Sequence, residues 1–327
     1  MNLALIGFGQ VGRELARQLD AHPQRFPFRI VGIHTLRHGT LVDAAGISLK
    51  RALTMPALGT RLATVEEFLE ACRPHAAVEL TPLDPLTGEP AIRHLRAALE
   101  RGIHAVTANK GPVAFAYQEL AQLARERGCL FRFESTVMDG APVFNLVRRC
   151  LPGARVLGFT GVLNSTTTVV IEAMEEGRSF SEGVERARRM GITEANHSYD
   201  TDGWDAAAKT AALANVLLDA RVTPMEIDRR GIGRLTPDRL RDLNAQGKTV
   251  RLVSRGSRSG KLRVRGEVLS RADLLASAQG ASGLLLLHTD LMGTVGAIEV
   301  APTLAQTAYG VLADLTEIWA VSGLQPL

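Results

Sequence analysis

The chain has 327 residues, 46% hydrophobic and 22% charged, with a formal charge of +4, which suits a globular protein of about two domains. The basic residues are scattered and no apolar run reaches the roughly 18 residues of a membrane span, so neither a nucleic-acid nor a membrane partner is expected. Cys72, Cys129 and Cys150 are odd in number and show no metal-binding spacing, so free thiols in a reducing cytoplasm are expected.

Leu3–Ile6 is apolar and runs straight into Gly7-Phe-Gly9-Gln-Val-Gly12 without a basic leader region, so it reads as a buried strand rather than a signal peptide. A helix with Val11, Leu15 and Leu19 on one face follows. Strand, tight glycine turn and helix make a dinucleotide fingerprint: Gly7, Gly9 and Gly12 with Gln10 and Val11 would let a pyrophosphate sit on the helix N-terminus. The second strand, Arg29–Ile33, ends in His34-Thr-Leu-Arg37-His38-Gly39. No acid is present there for ribose hydroxyls, and Arg37 is available for a 2′-phosphate, which favours NADP while leaving NAD open.

Ala76–Leu80 predicts another buried strand with Thr81 at its carboxyl end, the edge at which open parallel sheets bind ligands. A helix over Pro90–Glu100, a strand over His104–Thr107 and the turn Ala108-Asn-Lys110-Gly-Pro112 follow, and Lys110 is expected at the same edge. A helix over Val113–Gly128 and a strand over Cys129–Ser135 complete an alternating β/α pattern. The pattern then changes. A short helix (Val143–Cys150), the stretch Arg155–Leu163, Asn164-Ser-Thr-Thr-Thr168 and helices to Met190 lead into four antiparallel strands: Thr249–Ser254, Leu262–Leu269, Gly283–Thr289 and Val295–Val300. Thr307–Val321 is an apolar-faced helix. The expected fold is α/β: a Rossmann-type dinucleotide-binding domain over 1–135, an α+β substrate and dimerisation domain over 136–302, and a C-terminal helix over 303–327 returning to the first domain.

The stretch 187–209 carries Glu194, Asp200, Asp202, Asp205 and Lys209 in one loop and the alanine-rich helix after it. Asp205 and Lys209 are four apart and share a helix face. Four carboxylates beside one amine can hold an amino-acid head group and supply a proton donor. They also fit an N-cap, a first-turn acid and a surface pair worth about 0.3–0.5 kcal/mol. Composition bears on the choice. Of 38 basic residues only Lys50, Lys110, Lys209, Lys248 and Lys261 are lysine. Lysine can give and take a proton, which guanidinium cannot, so the five lysines form a short list of candidates, of which Lys110 and Lys209 lie in motif-like surroundings.

Taken together, Gly7-Phe-Gly9-Gln-Val-Gly12, Thr107-Ala-Asn-Lys110, Glu134-Ser-Thr-Val137, Gly161-Val-Leu-Asn164-Ser-Thr-Thr167 and the stretch 187–209 resemble the homoserine dehydrogenase family over nearly the whole chain, in its short form without an appended regulatory domain. The resemblance implies NAD(P)-linked interconversion of L-homoserine and L-aspartate 4-semialdehyde, within threonine and methionine biosynthesis, by a homodimer. It implies Lys209 as proton donor and acceptor, Glu194 and Asp205 as substrate ligands with Asp200 as an acidic neighbour, Lys110 beside cofactor and substrate, and Thr81 beside the nicotinamide. It also implies a monovalent cation such as Na+ on the carbonyls of Glu134, Val137, Asp139 and Ala141; hard oxygen donors suit such an ion. The chain departs from the family pattern at Asn196 and His197 (usually Asp and Pro), at Met138-Asp139 (usually a glycine pair) and at Ser165 (usually glycine). A dehydrogenase for aspartate or a diamino acid would need an arginine clamp that the site lacks. A silent NADP-binding regulator would be expected to lack Lys209.

Overall fold

The computed structural model describes residues 1–54, 62, 64–193 and 196–323. The chain divides into two compact units, Met1–Ala141 with Thr303–Leu327, and Pro142–Pro302.

The first unit runs β1 (Asn2–Ile6), α1 (Gln10–Ala21), β2 (Arg29–Thr35), β3 (Gly39–Val42), α2 (Leu49–Leu53), α3 (Val65–Cys72), β4 (Ala76–Glu79), α4 (Ala91–Glu100), β5 (His104–Thr107), α5 (Lys110–Glu126) and β6 (Phe131–Arg132). The strand order is β3-β2-β1-β4-β5-β6, parallel throughout except for the β2–β3 pair. β1 is apolar at consecutive positions because helices cover both faces of a parallel sheet; Leu3, Ala4, Leu5 and Ile6 are fully buried. The direction of winding reverses between β1 and β4. That reversal opens a crevice at the carboxyl edge of the sheet. Helix α1 buries Gly12, Leu15, Ala16 and Leu19 at helical spacing, and the C-terminal helix (Leu304–Val321) adds Ala308, Val311, Leu312, Leu315 and Ile318 to the same core. Each such leucine or isoleucine contributes about 1.5–3 kcal/mol.

Three local expectations need correcting in this unit. The second strand, expected to end at Ile33, continues to Thr35 and pairs with β3, so only residues 36–38 connect the hairpin. The strand expected over Cys129–Ser135 pairs only at Phe131–Arg132, because the chain leaves the sheet to form a 3-10 turn at Glu134–Thr136. There the Glu134 N–H donates to the Asp314 carboxylate at 2.8 Å and the Ser135 hydroxyl to the Thr307 carbonyl at 2.7 Å, both on the C-terminal helix. Its first turn starts at Leu304, three residues early, under a Thr303–Gln306 capping box.

The second unit runs α6 (Val143–Asn145), β7 (Val156–Val162), α7 (Ser165–Glu175), α8 (Phe180–Arg189), α9 (Ser198–Thr201), α10 (Trp204–Leu217), β8 (Asp228–Arg229), α11 (Pro237–Ala245), β9 (Lys248–Ser257), β10 (Arg263–Ser270), β11 (Gly283–Thr289) and β12 (Thr294–Glu299). The helix expected over Val143–Cys150 is one α-turn followed by a π-turn, Leu146–Cys150. The strands form one sheet in the order β12-β11-β7-β9-β10-β8, antiparallel except for the short β8–β10 pair. Helix α10 buries Asp205–Ala208, Thr210–Asn215 and Leu217; alanine lets neighbouring backbones close on nearly every side of it. Among the described residues no helix is long and apolar enough to cross a membrane. Cys72, Cys129 and Cys150 are free, and burial pushes the Cys72 thiol up to about 12.

Candidate active site

In the second unit, the turn after β7 and the first turn of α10 meet in a polar cluster. Asn164 caps α7: its Oδ1 accepts the Thr167 N–H at 2.9 Å. With the oxygen so committed, the amide nitrogen is left to face the carboxylates, which can only accept. It donates to Asp200 Oδ1 at 2.7 Å and to Asp205 Oδ2 at 3.0 Å. The second oxygen of Asp200 accepts from the hydroxyls of Thr166 at 3.1 Å and Thr193 at 2.9 Å. Lys209 Nζ donates to the Leu163 carbonyl at 2.6 Å and stands 3.3 Å from Asp205 Oδ2.

This geometry removes two parts of the structural reading of the Asp205–Lys209 pair. Their side chains are only 10% and 18% exposed, so the pair is not a solvated surface bridge. Nor does Asp202 cap α10. Gly203 does, at a φ of +82° and without a side-chain bond, while Asp202 is exposed. The loop ahead of α10 is pinned from β8: the Arg229 guanidinium stacks 3.6 Å from the Trp204 ring centre and donates to the Asp202 carbonyl. A side chain at Gly231 would come within 2.2 Å of the Thr201 carbonyl.

Burial, and next the nearby Asp205, raise the Asp200 carboxyl above its ordinary range against the three hydrogen bonds that hold it ionised. Burial also raises the Tyr199 phenol, with Asp205 and Asp200 adding to the effect, so it stays neutral. Glu194 lies outside the described residues.

The first unit supplies a different kind of site. Gly7 adopts a φ of +91°, and a Cβ there would lie 2.8 Å from the Leu80 carbonyl and 2.9 Å from the Thr81 nitrogen. Gly12 is buried against Phe8 and the Gly7 carbonyl. Gly9 is the opposite case: a Cβ there would project into open space, and it caps α1 without any side-chain hydrogen bond. Gln10 and Val11 form the first turn of α1. A free backbone approach at a helix N-terminus fits the pyrophosphate of a dinucleotide. Thr81 and Lys110 follow β4 and β5 at the same edge of the sheet, and Asn109 joins them, donating to the Thr81 carbonyl at 3.0 Å while capping α5 through the Gly111 N–H at 2.9 Å. Arg37 is exposed in the β2–β3 connection, next to Leu36, which is 95% exposed.

Glu134, Val137, Asp139 and Ala141 lie on one loop braced by the C-terminal helix. Asp139 takes a φ of +37° where the family pattern has glycine, and its carboxylate accepts the Thr307 hydroxyl at 2.8 Å. A side chain at Gly140 would come within 2.3 Å of the Gln306 carbonyl. Among the described residues no cluster of three or more His, Cys, Asp or Glu could hold a metal, so a cation on this loop would depend on carbonyl oxygens.

Residues 7–134 match the family description "Homoserine dehydrogenase, NAD binding domain" and residues 142–316 match "Homoserine dehydrogenase". The chain belongs to the homoserine dehydrogenase family. It is 35% identical to the NAD(+)-dependent homoserine dehydrogenase of Pseudomonas canavaninivorans over 97% of this chain and 95% of that one. It is 31% identical to the homoserine dehydrogenase of Methanocaldococcus jannaschii over 98% of each. Among solved structures, the Thermoplasma acidophilum homoserine dehydrogenase superposes with a TM-score of 0.84 at 25% identity, covering 98% of this chain and 99% of that one. A hyperthermophilic archaeal homoserine dehydrogenase in complex with NADPH gives 0.84 at 28% identity, covering 100% and 99%. The α/β fold with a Rossmann-type unit and a second mixed unit is that of the family, and the chain is a nicotinamide-dependent oxidoreductase.

Within the family frame, sequence reasoning brought Asp200, Asp205 and Lys209 together correctly as neighbours but passed over the groups that orient them. Asn164 is the clearest case. Its place ahead of a Ser-Thr-Thr-Thr run marks an N-cap, and an N-cap at the exit of a buried strand is aimed at whatever lies beyond. Thr166 and Thr193 carried no separate signal. In the first unit Glu79 was read as part of an apolar strand, yet it is completely buried; a lone acid inside such a run was the available sign.

Proposed function

We propose that this chain interconverts L-homoserine and L-aspartate 4-semialdehyde, with Lys209 passing a proton to or from the substrate oxygen. The carrying observation is the buried Asp205–Lys209 pair tied through Asn164 to Asp200. The Leu163 carbonyl and Asp205 fix the direction of the ammonium, and a fixed donor is what proton transfer in a transition state demands. Asp205 and Asp200, with Glu194 as the third acid, supply the negative charge that a substrate ammonium needs. Lys110, at the start of α5, serves beside Thr81 on the cofactor side. The bound nicotinamide supplies the hydride acceptor or donor.

NADP is the proposed cofactor in preference to NAD, because His34–Gly39 offers Arg37 and no acid. Names of relatives point both ways, one being NAD(+)-dependent and another solved with NADPH. A monovalent cation such as Na+ on the 134–141 loop and a cytoplasmic homodimer belong to the same reading. For the dimer, support comes from apolar side chains left exposed on the second sheet, Ile298 at 56% among them. The purified protein should reduce NADP+ with L-homoserine at alkaline pH, followed at the nicotinamide absorbance. No reduction with homoserine, but reduction with aspartate or a diamino acid, would replace this substrate assignment.

A further inference from the structure

Glu79 ends β4 with 0% of its surface exposed, although an unpaired buried carboxylate is among the costliest groups a protein can hold. Its surroundings show what it is for. Oε1 accepts both the Thr81 N–H, at 2.9 Å, and the Thr81 hydroxyl. Oε2 accepts the Thr107 hydroxyl at 3.1 Å. The same Thr107 oxygen accepts the Asn109 N–H at 2.9 Å, and Asn109 in turn holds the Thr81 carbonyl and the first turn of α5, where Lys110 sits. From α4, the buried His94 brings Nδ1 to 3.7 Å of Oε1, too far for a hydrogen bond but close enough to shut the carboxylate off from water. One side chain thus ties the exit of β4 to the exit of β5. The β1–α1 turn joins the assembly by contact, since the Leu80 carbonyl and Thr81 nitrogen fill the space that a Cβ of Gly7 would need.

We infer that Glu79 is a positioning residue for the nicotinamide half of the cofactor: it fixes Thr81 and Lys110 relative to each other and to the glycine turn. The inference rests on the proposed placement of Thr81 beside the nicotinamide. Stability alone does not call for a carboxylate at this point, because burying one is costly. A side chain whose two oxygens receive one amide and two hydroxyls locks the direction of each donor. Small displacements are expensive in hydride transfer, an error of about 1 Å costing up to about a hundredfold in rate.

The test compares NADPH with its nicotinamide-free fragment, ADP-ribose 2′-phosphate, by direct titration. Glu79→Ala should weaken NADPH about tenfold and lower kcat by about tenfold or more, while the fragment binds within about twofold of wild type. Glu79→Gln retains an acceptor oxygen and the volume, and should recover most of both losses. With cofactor deuterated at the transferred position, the isotope effect on kcat should rise in Glu79→Ala. Parallel weakening of NADPH and fragment, together with a lowered melting temperature, would show a structural role only and overturn the inference. Should Glu79→Ala fail to fold, Thr107→Val, which removes the hydroxyl shared by the carboxylate and the Asn109 N–H, must show the same selective loss; equal affinities there overturn it too. Thr81→Ala separates the two levels. A selective loss in Thr81→Ala with none in Glu79→Ala rejects Glu79 alone, whereas no selectivity in Thr81→Ala rejects the placement of Thr81 and the inference with it.

Discussion

The β1–α1 turn of the first unit and the Asn164–Asp200–Asp205–Lys209 cluster of the second prepare their ligand sites by opposite means. The turn works by leaving side chains out: Gly7 and Gly12 allow close packing and Gly9 leaves open space over a helix N-terminus. The cluster works by burying charge and then satisfying it, with three neutral side chains oriented on Asp200 and an ammonium on Asp205. The first design recruits residues adjacent in sequence; the second draws on three segments, around 163–167, at 193 and at 200–209. Substitutions should therefore act on geometry and cofactor affinity in the turn, and on charge and turnover in the cluster.

The largest effect should come from Lys209→Ala. Loss of the proton-transfer group should lower kcat at least about a hundredfold, the low end for general acid–base catalysis. NADPH affinity, measured by titration, should stay near wild type because the first unit is untouched. Near-normal turnover would remove Lys209 from the chemistry and leave the buried pair as a structural feature.

Two glycines within the turn should separate next. Gly7→Ala meets both a left-handed φ and the Leu80 carbonyl, so stability should fall by at least about 2 kcal/mol, read from denaturant unfolding. Gly9→Ala meets no protein atom, so its unfolding should barely change while NADPH binds about tenfold more weakly. Equal destabilisation by both would mean that the third residue of the turn is packed rather than open to a ligand.

The contrast also explains what could be read from sequence. A glycine fingerprint is local: strand, turn and helix are contiguous, and the missing Cβ atoms are visible in the letters themselves. The alternation of strands and helices in the first unit was legible in the same local way, although the strand order and the antiparallel β3 were not. Asp200, Asp205 and Lys209 stood out because five lysines among 38 basic residues narrowed the search. Thr166 and Thr193 were not legible as site residues, because their meaning lies in contacts across 34 and 7 positions with Asp200. The early end of β6 was hidden for a similar reason: the groups that draw Glu134 and Ser135 out of the sheet, Asp314 and the Thr307 carbonyl, come from the far end of the chain.

Arg37 belongs to the side of the comparison in which the cofactor is read by geometry, yet it would act by charge. Arg37→Ala should reduce the NADP-over-NAD affinity ratio about tenfold, as expected for one guanidinium on a phosphate. Because the side chain is exposed, the effect should shrink as salt is raised. An unchanged ratio would make it a loop arginine.

The smallest effect concerns the cost of the buried cluster itself. Folding raises the Asp200 carboxyl through burial and through Asp205, so the folded protein holds this proton more readily than the unfolded chain. Between the ordinary carboxylate range and the raised value, stability therefore falls as pH rises, and above the raised value the full penalty is present. Asp200→Asn removes the charge and keeps the shape. At pH 7 it should melt roughly 2 °C above wild type, with homoserine turnover impaired. As pH is lowered toward about 4, where unfolded aspartate also takes up its proton, the difference should narrow because wild type sheds its penalty. Lost hydrogen bonds would displace the two curves by a constant amount, so the convergence with falling pH is the diagnostic. Curves that run parallel from pH 8 to 5 would mean that the hydroxyls of Thr166 and Thr193 and the Asn164 amide compensate the Asp200 charge fully; the cluster would then be as free of strain as Gly9 in the glycine turn.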